Sequence, residues 1–378
     1  MRIFSDNAML ALNTVERRPT KGIPTGLMHI MEHSSIERLA GAYPGSYVND
    51  PHGVYMRMVR NAGCSMVDQY LADNPLTMGD RGYEAGSAEH GKTNTGGGFA
   101  VVDGMEIKDA DDVAAHIEKY LVPQMEASLT GFDEKAYMQR VINRESYVQT
   151  MLGDDIIKLP YGVFGFPGLM YGTYGYEPYF TAYFHYPELM ERVFSLQADY
   201  AAMRNGAAVK ALLRAGLPRY TRLDHDMADS RGMLCSPASL EKLWVPHFIR
   251  AVKPLADADF TVLWHCDGNL MRLVPYLVEG GVNGFQGFQY EDGMDYIQIC
   301  KMTPKRGGRM VIHAGVSVTR TLPFGTPDDV KNEIKFLVEN GTPHMFLGFS
   351  SSCVPGTPFE NIQTCVDGFR YYRMNGRQ

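Results

Sequence analysis

Three residue types able to bind a metal or move a proton stand together in Leu263-Trp264-His265-Cys266-Asp267-Gly268-Asn269, where an apolar run breaks into a Gly-Asn turn. An imidazole, a thiol and a carboxylate are the ligand types that zinc takes, and a catalytic zinc keeps one position open for a reactant. On an extended strand end His265 and Asp267, two residues apart, point to one side and Cys266 to the other. The pair His265 and Asp267 is therefore expected to face a site, with Cys266 turned away. A second group, Asp224-His225-Asp226, ends another apolar run, and Gln286, Gln289, His313 and the stretch from Ser350 to Cys353 end three more. Asp226 with His225 could deliver a proton, and Cys353 could add a third metal ligand to His265 and Asp267.

Positioning such residues on one rim requires several strands that end at the same edge. The apolar runs fall at 219–226, 260–267, 282–289, 309–315 and 344–352, separated by stretches of helical period. Strand alternating with helix implies parallel βαβ units. Five units in the C-terminal half leave room for three upstream, where 23–31 and 65–71 read as strands and 111–125 as a helix. The expected fold is a single-domain α/β protein, a (β/α)8 TIM barrel over residues 1–378 with an N-terminal extension. The Thr326-Pro327-Asp328-Asp329 run predicts a helix start and Gly341 a left-handed helix end, while Asn269 or the residue before it is expected to cap the helix after the Gly-Asn turn.

Two insertions interrupt that pattern. Residues 91–108, GKTNTGGGFAVVDGMEIK, read as a Gly-rich β-hairpin; the TNTGGG run lacks the Lys-Ser/Thr of a phosphate loop. In residues 161–186, eleven of 26 are Tyr or Phe, interspersed with Gly and Pro, a composition that predicts an ordered loop over a pocket or packed at a subunit interface.

Composition narrows the partners. A net charge of -7 disfavours nucleic acid, and apolar runs shorter than the roughly 18 residues of a membrane span disfavour a membrane. The first residues lack the apolar core of a secretory signal, and six cysteines without a CxxC pair fit reduced thiols, so the expected location is cytoplasmic.

The motifs together resemble the uroporphyrinogen decarboxylase superfamily, in its corrinoid-dependent methyltransferase branch. HCDGNLMRLVPYLVEGGVNGFQGFQYEDGMD (265–295) is similar to the family's His-x-(Cys/Asp)-Gly-Asn turn and Gly-Met-Asp stretch. VIHAGVSVTRTLPFGTPDDVKNEI resembles the next strand, loop and helix, SSSCVPGTPFENIQTCVDGFRYY the terminal strand and helix, and NAMLALN with IPTGLMHIM the opening helix and first strand. The decarboxylases' Arg-Gln-Ala-Gly-Arg-Tyr segment is replaced here by GLMHIMEHSSIERLAG, which lacks the basic groups that would hold eight carboxylates. The resemblance implies transfer of a methyl group from a small methylated, methoxylated substrate such as an aryl methyl ether to the cobalt of a separate corrinoid protein. It also implies zinc held by His265, Asp267 and Cys353, with Asp267 in place of the usual cysteine, and a homodimer. The alternatives are a decarboxylase of a smaller acid and a non-catalytic corrinoid- or metabolite-binding protein.

Overall fold

The computed structural model describes residues 3–27, 29–72 and 100–377. Its strands, in chain order, are β1 (Met66–Val67), the hairpin β2 (Ala100–Val102) and β3 (Met105–Ile107), β4 (Ile157–Lys158), β5 (Tyr220–Asp224), a second hairpin β6 (Ala228–Asp229) and β7 (Gly232–Met233), β8 (Thr261–His265), β9 (Gly284–Gln286), β10 (Val311–Val316) and β11 (His344–Phe349). Five of them form one parallel sheet in the order β11-β10-β9-β8-β5. Helices separate them: Pro237–Leu243 and Val245–Asp257 before β8, Val274–Glu279 before β9, Tyr296–Lys301 before β10 and Pro327–Asn340 before β11. This is the strand-helix alternation that the apolar runs predict, and almost every strand residue is buried, as a sheet covered on both faces requires.

Backbone hydrogen bonds extend the sheet at both edges. Gly26 N donates to Leu347 O and Leu347 N to Pro24 O, placing residues 24–26 beside β11. Ser65 N donates to Thr25 O, β1 pairs with β4, and Tyr161 bridges to Arg222 of β5. The segment 23–31 thus contributes single bridges at Thr25 and Ile30 rather than a continuous strand.

Alternation along β8 divides the two faces. Leu263 packs with Tyr220, Val311, Phe346, Met66 and Ile157 around Ala8, Ala11 and Val15 of the helix Asp6–Val15, which covers that face. Trp264 points the other way, its ring 5.5 Å from Phe248 and 6.1 Å from Trp244 of the outer helical layer. The next residue on the Leu263 side is His265, and there the apolar face gives way to polar groups.

Local signals account for several boundaries. Thr326 and Asp329 form a reciprocal capping box with Pro327 at the first helical position. Gly341 ends that helix in an extended conformation, φ -79°, not the expected left-handed one. Its need for glycine is steric, since a Cβ would lie 2.7 Å from both Leu337 O and the Tyr296 hydroxyl. Asn269 caps a turn instead of a helix, its Oδ1 accepting from Met271 N while the helix starts at Val274. The helix expected at 111–125 runs through 110–130 but widens to π geometry over Ile117–Leu121, just before Pro123, which offers no N–H to the regular ladder.

The two insertions differ from expectation. Of 91–108, the part 100–107 is a hairpin whose Asp103-Gly104 turn has both φ angles positive, and 91–99 lies outside the described residues. The aromatic stretch is an extended segment to Met170 followed by two helices, Tyr171–Tyr174 and Tyr176–His185, not a long loop. Among the described residues no helix is long and apolar enough to cross a membrane.

Candidate active site

The parallel register sets Asp224, His265, Gln286 and His313 opposite one another in adjacent strands, so one row of side chains is polar at the C-terminal end of the sheet. His265 is the last residue of β8 and is 5% exposed. Its Nδ1 lies 3.2 Å from the carbonyl oxygen of Gln286. A carbonyl only accepts, so Nδ1 carries the proton and Nε2 presents its lone pair. That Nε2 lies 3.8 Å from Asp267 Oδ1 and 4.0 Å from Asp224 Oδ1.

The turn after β8 brings the second and third acids in. Gly268, with φ +79°, lets the backbone pass so close to the β6–β7 hairpin that a Cβ would lie 2.4 Å from Asp229 O. Asp267 N then donates to Asp226 Oδ1 at 3.0 Å, and Ser351 Oγ to Asp267 Oδ2 at 3.2 Å. One ligand atom each from Asp226, His265 and Asp267 lies within 4.8 Å of the others. Asp226 meets solvent on one side while protein crowds the other. That crowding, followed by the charge of Asp267, raises its carboxyl above the usual range.

Of the residues singled out in the sequence, the structure brings His265, Asp267 and Asp226 together and leaves two elsewhere. Cys353 bridges to Ile30, its N donating to His29 O at 2.8 Å, and is outside the trio. Burial pushes its thiol up to about 12. His225 turns from Asp226 into the aromatic layer: its Nε2 accepts from Leu169 N at 2.9 Å and its ring lies 5.8 Å from Tyr171. Burial pulls it down to about 4, a neutral acceptor holding backbone rather than an acid beside Asp226. Cys266 is turned toward the hairpin, its Sγ accepting from Met227 N at 3.3 Å.

Besides Asp224 of the strand-end group, the site holds Tyr161, Tyr171 and Arg222, whose individual sequence signal was weak. Asp224 accepts from the Tyr161 hydroxyl at 3.2 Å, and the Tyr171 hydroxyl donates to Asp226 O at 2.8 Å. Tyr171 in turn lies 4.7 Å from Tyr176 and 5.7 Å from Phe180, so the aromatic segment stands over the acids. Beneath them is a fully buried Arg222. Its Nε pairs with Asp68 Oδ2 at 3.0 Å, and its Nη atoms donate to Gln286 Oε1 at 3.1 Å and Gln69 Oε1 at 3.0 Å. A charged residue between the buried Thr221 and Leu223 of an apolar run was the available sign.

The trio fits a divalent cation. Ligand atoms around tetrahedral zinc stand roughly 3.3 Å apart, and 3.8 Å between His265 Nε2 and Asp267 Oδ1 is within a small side-chain adjustment of that. The proton on Nδ1, fixed by Gln286 O, is the arrangement that metal-binding histidines use. Two carboxylates and one imidazole, without a thiolate, make a harder donor set than zinc-thiolate sites.

No known family profile matches the chain, and no curated protein matches it. Among solved structures, a methyltransferase from Methanosarcina mazei aligns over 98% of this chain and 99% of its own, with TM-score 0.60 and 15% identity. A vitamin-B12-independent methionine synthase from Listeria monocytogenes aligns over 61% and 66%, with TM-score 0.37 and 15% identity. The first likeness shows a shared fold along the whole chain.

Proposed function

We propose that the chain is one (β/α)8 barrel of the uroporphyrinogen decarboxylase-like type and moves a methyl group from a methoxylated compound, such as an aryl methyl ether, to the cobalt of a separate corrinoid protein. The barrel reading is supported by the hydrogen bonds that link 24–26, β1 and β4 into the gap between β11 and β5. Methyl transfer is supported by the fold shared with a protein described as a methyltransferase. The observation that carries the reading is the Asp226–His265–Asp267 trio at the C-terminal ends of the strands, beneath Tyr171.

Cleaving O–CH3 by nucleophilic attack on carbon leaves both bonding electrons on oxygen, so the site must neutralise an alkoxide or phenoxide. Asp226, with its raised carboxyl, is the group suited to give that oxygen a proton. In the alternative in which His265, Asp267 and Asp226 hold a divalent cation such as zinc, Asp226 would be an ionised ligand and not the acid, and the cation would supply Lewis-acid stabilisation of the same oxygen. Tyr171 and Tyr176 stand beside Asp226 and would pack against a planar donor. Decarboxylation finds less support, because Arg222 is already engaged by Asp68, Gln69 and Gln286 and is buried away from any substrate carboxylate.

Anaerobic incubation with a reduced corrinoid protein and a panel of methoxyarenes and methylamines tests the proposal. Formation of the methylcobalamin absorbance with a methoxyarene is expected. Its absence across the panel, or carbon dioxide release from a carboxylic acid without corrinoid, overturns it.

A further inference from the structure

The buried cation beneath the site has no direct reach to a substrate, yet its contacts converge on the groups around His265. Arg222 is fully buried, one position inside Asp224 on the same face of β5. Its Nη1 donates to Gln286 Oε1 at 3.1 Å and lies 3.6 Å from Asp224 Oδ2. Those two residues flank the same imidazole: the main-chain carbonyl of Gln286 accepts from Nδ1, and Asp224 Oδ1 lies 4.0 Å from Nε2. Gln286 is itself tied to the next strands, its Nε2 donating to Phe349 O at 3.3 Å and Ser350 O at 3.1 Å. Asp68 balances the charge of Arg222 through a 3.0 Å pair, and Tyr161 covers the guanidinium at 4.7 Å.

We infer that Arg222 is a positioning residue: by anchoring the Gln286 side chain and Asp224 it holds the main-chain carbonyl of Gln286 in line with His265 Nδ1, and so the tautomer and ring plane in which Nε2 faces Asp226 and Asp267. The physical case rests on number and geometry of donors. A guanidinium directs several N–H groups in fixed planar directions, and here they go to Asp68, Gln69 and Gln286 at once. A lysine at this position offers a point charge and cannot span the same three acceptors. A stability role alone would be met equally well by apolar packing, since buried ion pairs are often no better than hydrophobic replacements. The inference rests on the reading of Asp226, His265 and Asp267 as a metal-binding trio, and its test separates the two.

Two readouts are compared in wild type, Arg222→Met, Arg222→Lys and Gln286→Met, each checked for native circular dichroism and melting. The first is the imidazole 15N signals of His265 in metal-free protein, which report the tautomer. The second is titration with Co2+, read by its visible d–d band. Wild type is expected to show the Nδ1–H tautomer alone. The variants are expected to show mixed tautomers and a 10- to 100-fold weaker Co2+ affinity of the size found for outer partners of metal-bound histidine. Retention of both the single tautomer and the affinity in folded Arg222→Met overturns the inference. If that variant does not fold, the same result in Gln286→Met overturns it. Failure of wild type to bind Co2+ overturns the metal reading of the trio, while the tautomer comparison still decides the role of Arg222.

Discussion

The Nδ1 of His265 lies 3.2 Å from the main-chain carbonyl oxygen of Gln286, one strand over. Because that oxygen belongs to the backbone, no substitution of the side chain removes it. The imidazole is therefore oriented by the β8–β9 pairing for as long as the Gln286 backbone is held in place, and the rest of the site is arranged around Nε2.

Metal content separates the trio from the distant cysteine. Protein purified without chelator is expected to hold a divalent ion, with His265→Ala and Asp267→Ala reducing it to background and Cys353→Ala leaving it unchanged. Elemental analysis of the four proteins decides the matter. Equal metal in all of them refutes the assignment, and loss in Cys353→Ala restores the thiol as a ligand despite its burial.

Gly287 sits against the His265 ring with φ +72°, and a Cβ there would lie 2.4 Å from Ser350 O and 2.8 Å from His265 Nδ1. Gly287→Ala is expected to cost roughly 1–3 kcal/mol of stability and to displace the imidazole. Denaturant unfolding and Co2+ titration would show both effects; a variant as stable and as tight-binding as wild type would contradict the packing.

Acid should weaken the fold before it titrates ordinary carboxylates. Burial pulls His29 and His313 down to about 4, below the value near 6.5 of an unfolded histidine. The unfolded chain then binds more protons between those limits, so stability is full above about 6.5 and falls as pH drops toward 4. His313 donates from Nε2 to Gly26 O at 2.7 Å and keeps Nδ1 unprotonated. A loss of order 1–3 kcal/mol across that window is expected in urea melts. His313→Asn, already destabilised at pH 7, should show a shallower slope, and an unchanged slope would assign the effect to other groups.

His225 is expected to hold the aromatic layer and not to move protons. His225→Phe keeps ring packing against Tyr171 but loses the acceptor for Leu169 N. Hydrogen exchange should rise at Leu169 and nearby amides, and the pH dependence of methyl transfer should keep its wild-type shape. A displaced pH profile with unchanged exchange would return His225 to the proton-transfer role.

Much of this architecture could be read from the chain because its determinants are local. The capping box at Thr326 and Asp329, the Asp103-Gly104 turn and the buried runs of β8 and β10 each state their structure within a few residues. The alternation of Leu263, His265 and Asp267 likewise indicated which way the pair would face. What stayed hidden depended on partners far along the chain. Where Cys353 sits is decided by its backbone pairing with residues 29–31, more than 300 positions earlier, and a sequence gives no such pairing. His225 and Asp226 are adjacent and chemically alike in promise, yet one turns to Leu169 and the other to Asp267. The helices at Tyr171–Tyr174 and Tyr176–His185 were masked by Gly and Pro, which suggest a loop wherever tertiary packing is unknown.

The helix Asp6–Val15 has a consequence for how the chain is made. Its Ala8, Ala11 and Val15 pack with Val311 and Phe346, and Val15 O accepts from Thr261. At the ribosome's pace of about 5–20 residues per second, those partners emerge tens of seconds after the helix does. Until then the stripe is covered only in part, by Met66, Ile157 and Tyr220 as they emerge. Deleting the C-terminal strands should therefore leave an aggregation-prone product even though most of the chain is intact, and refolding should be slow, with docking of this first segment among the last events.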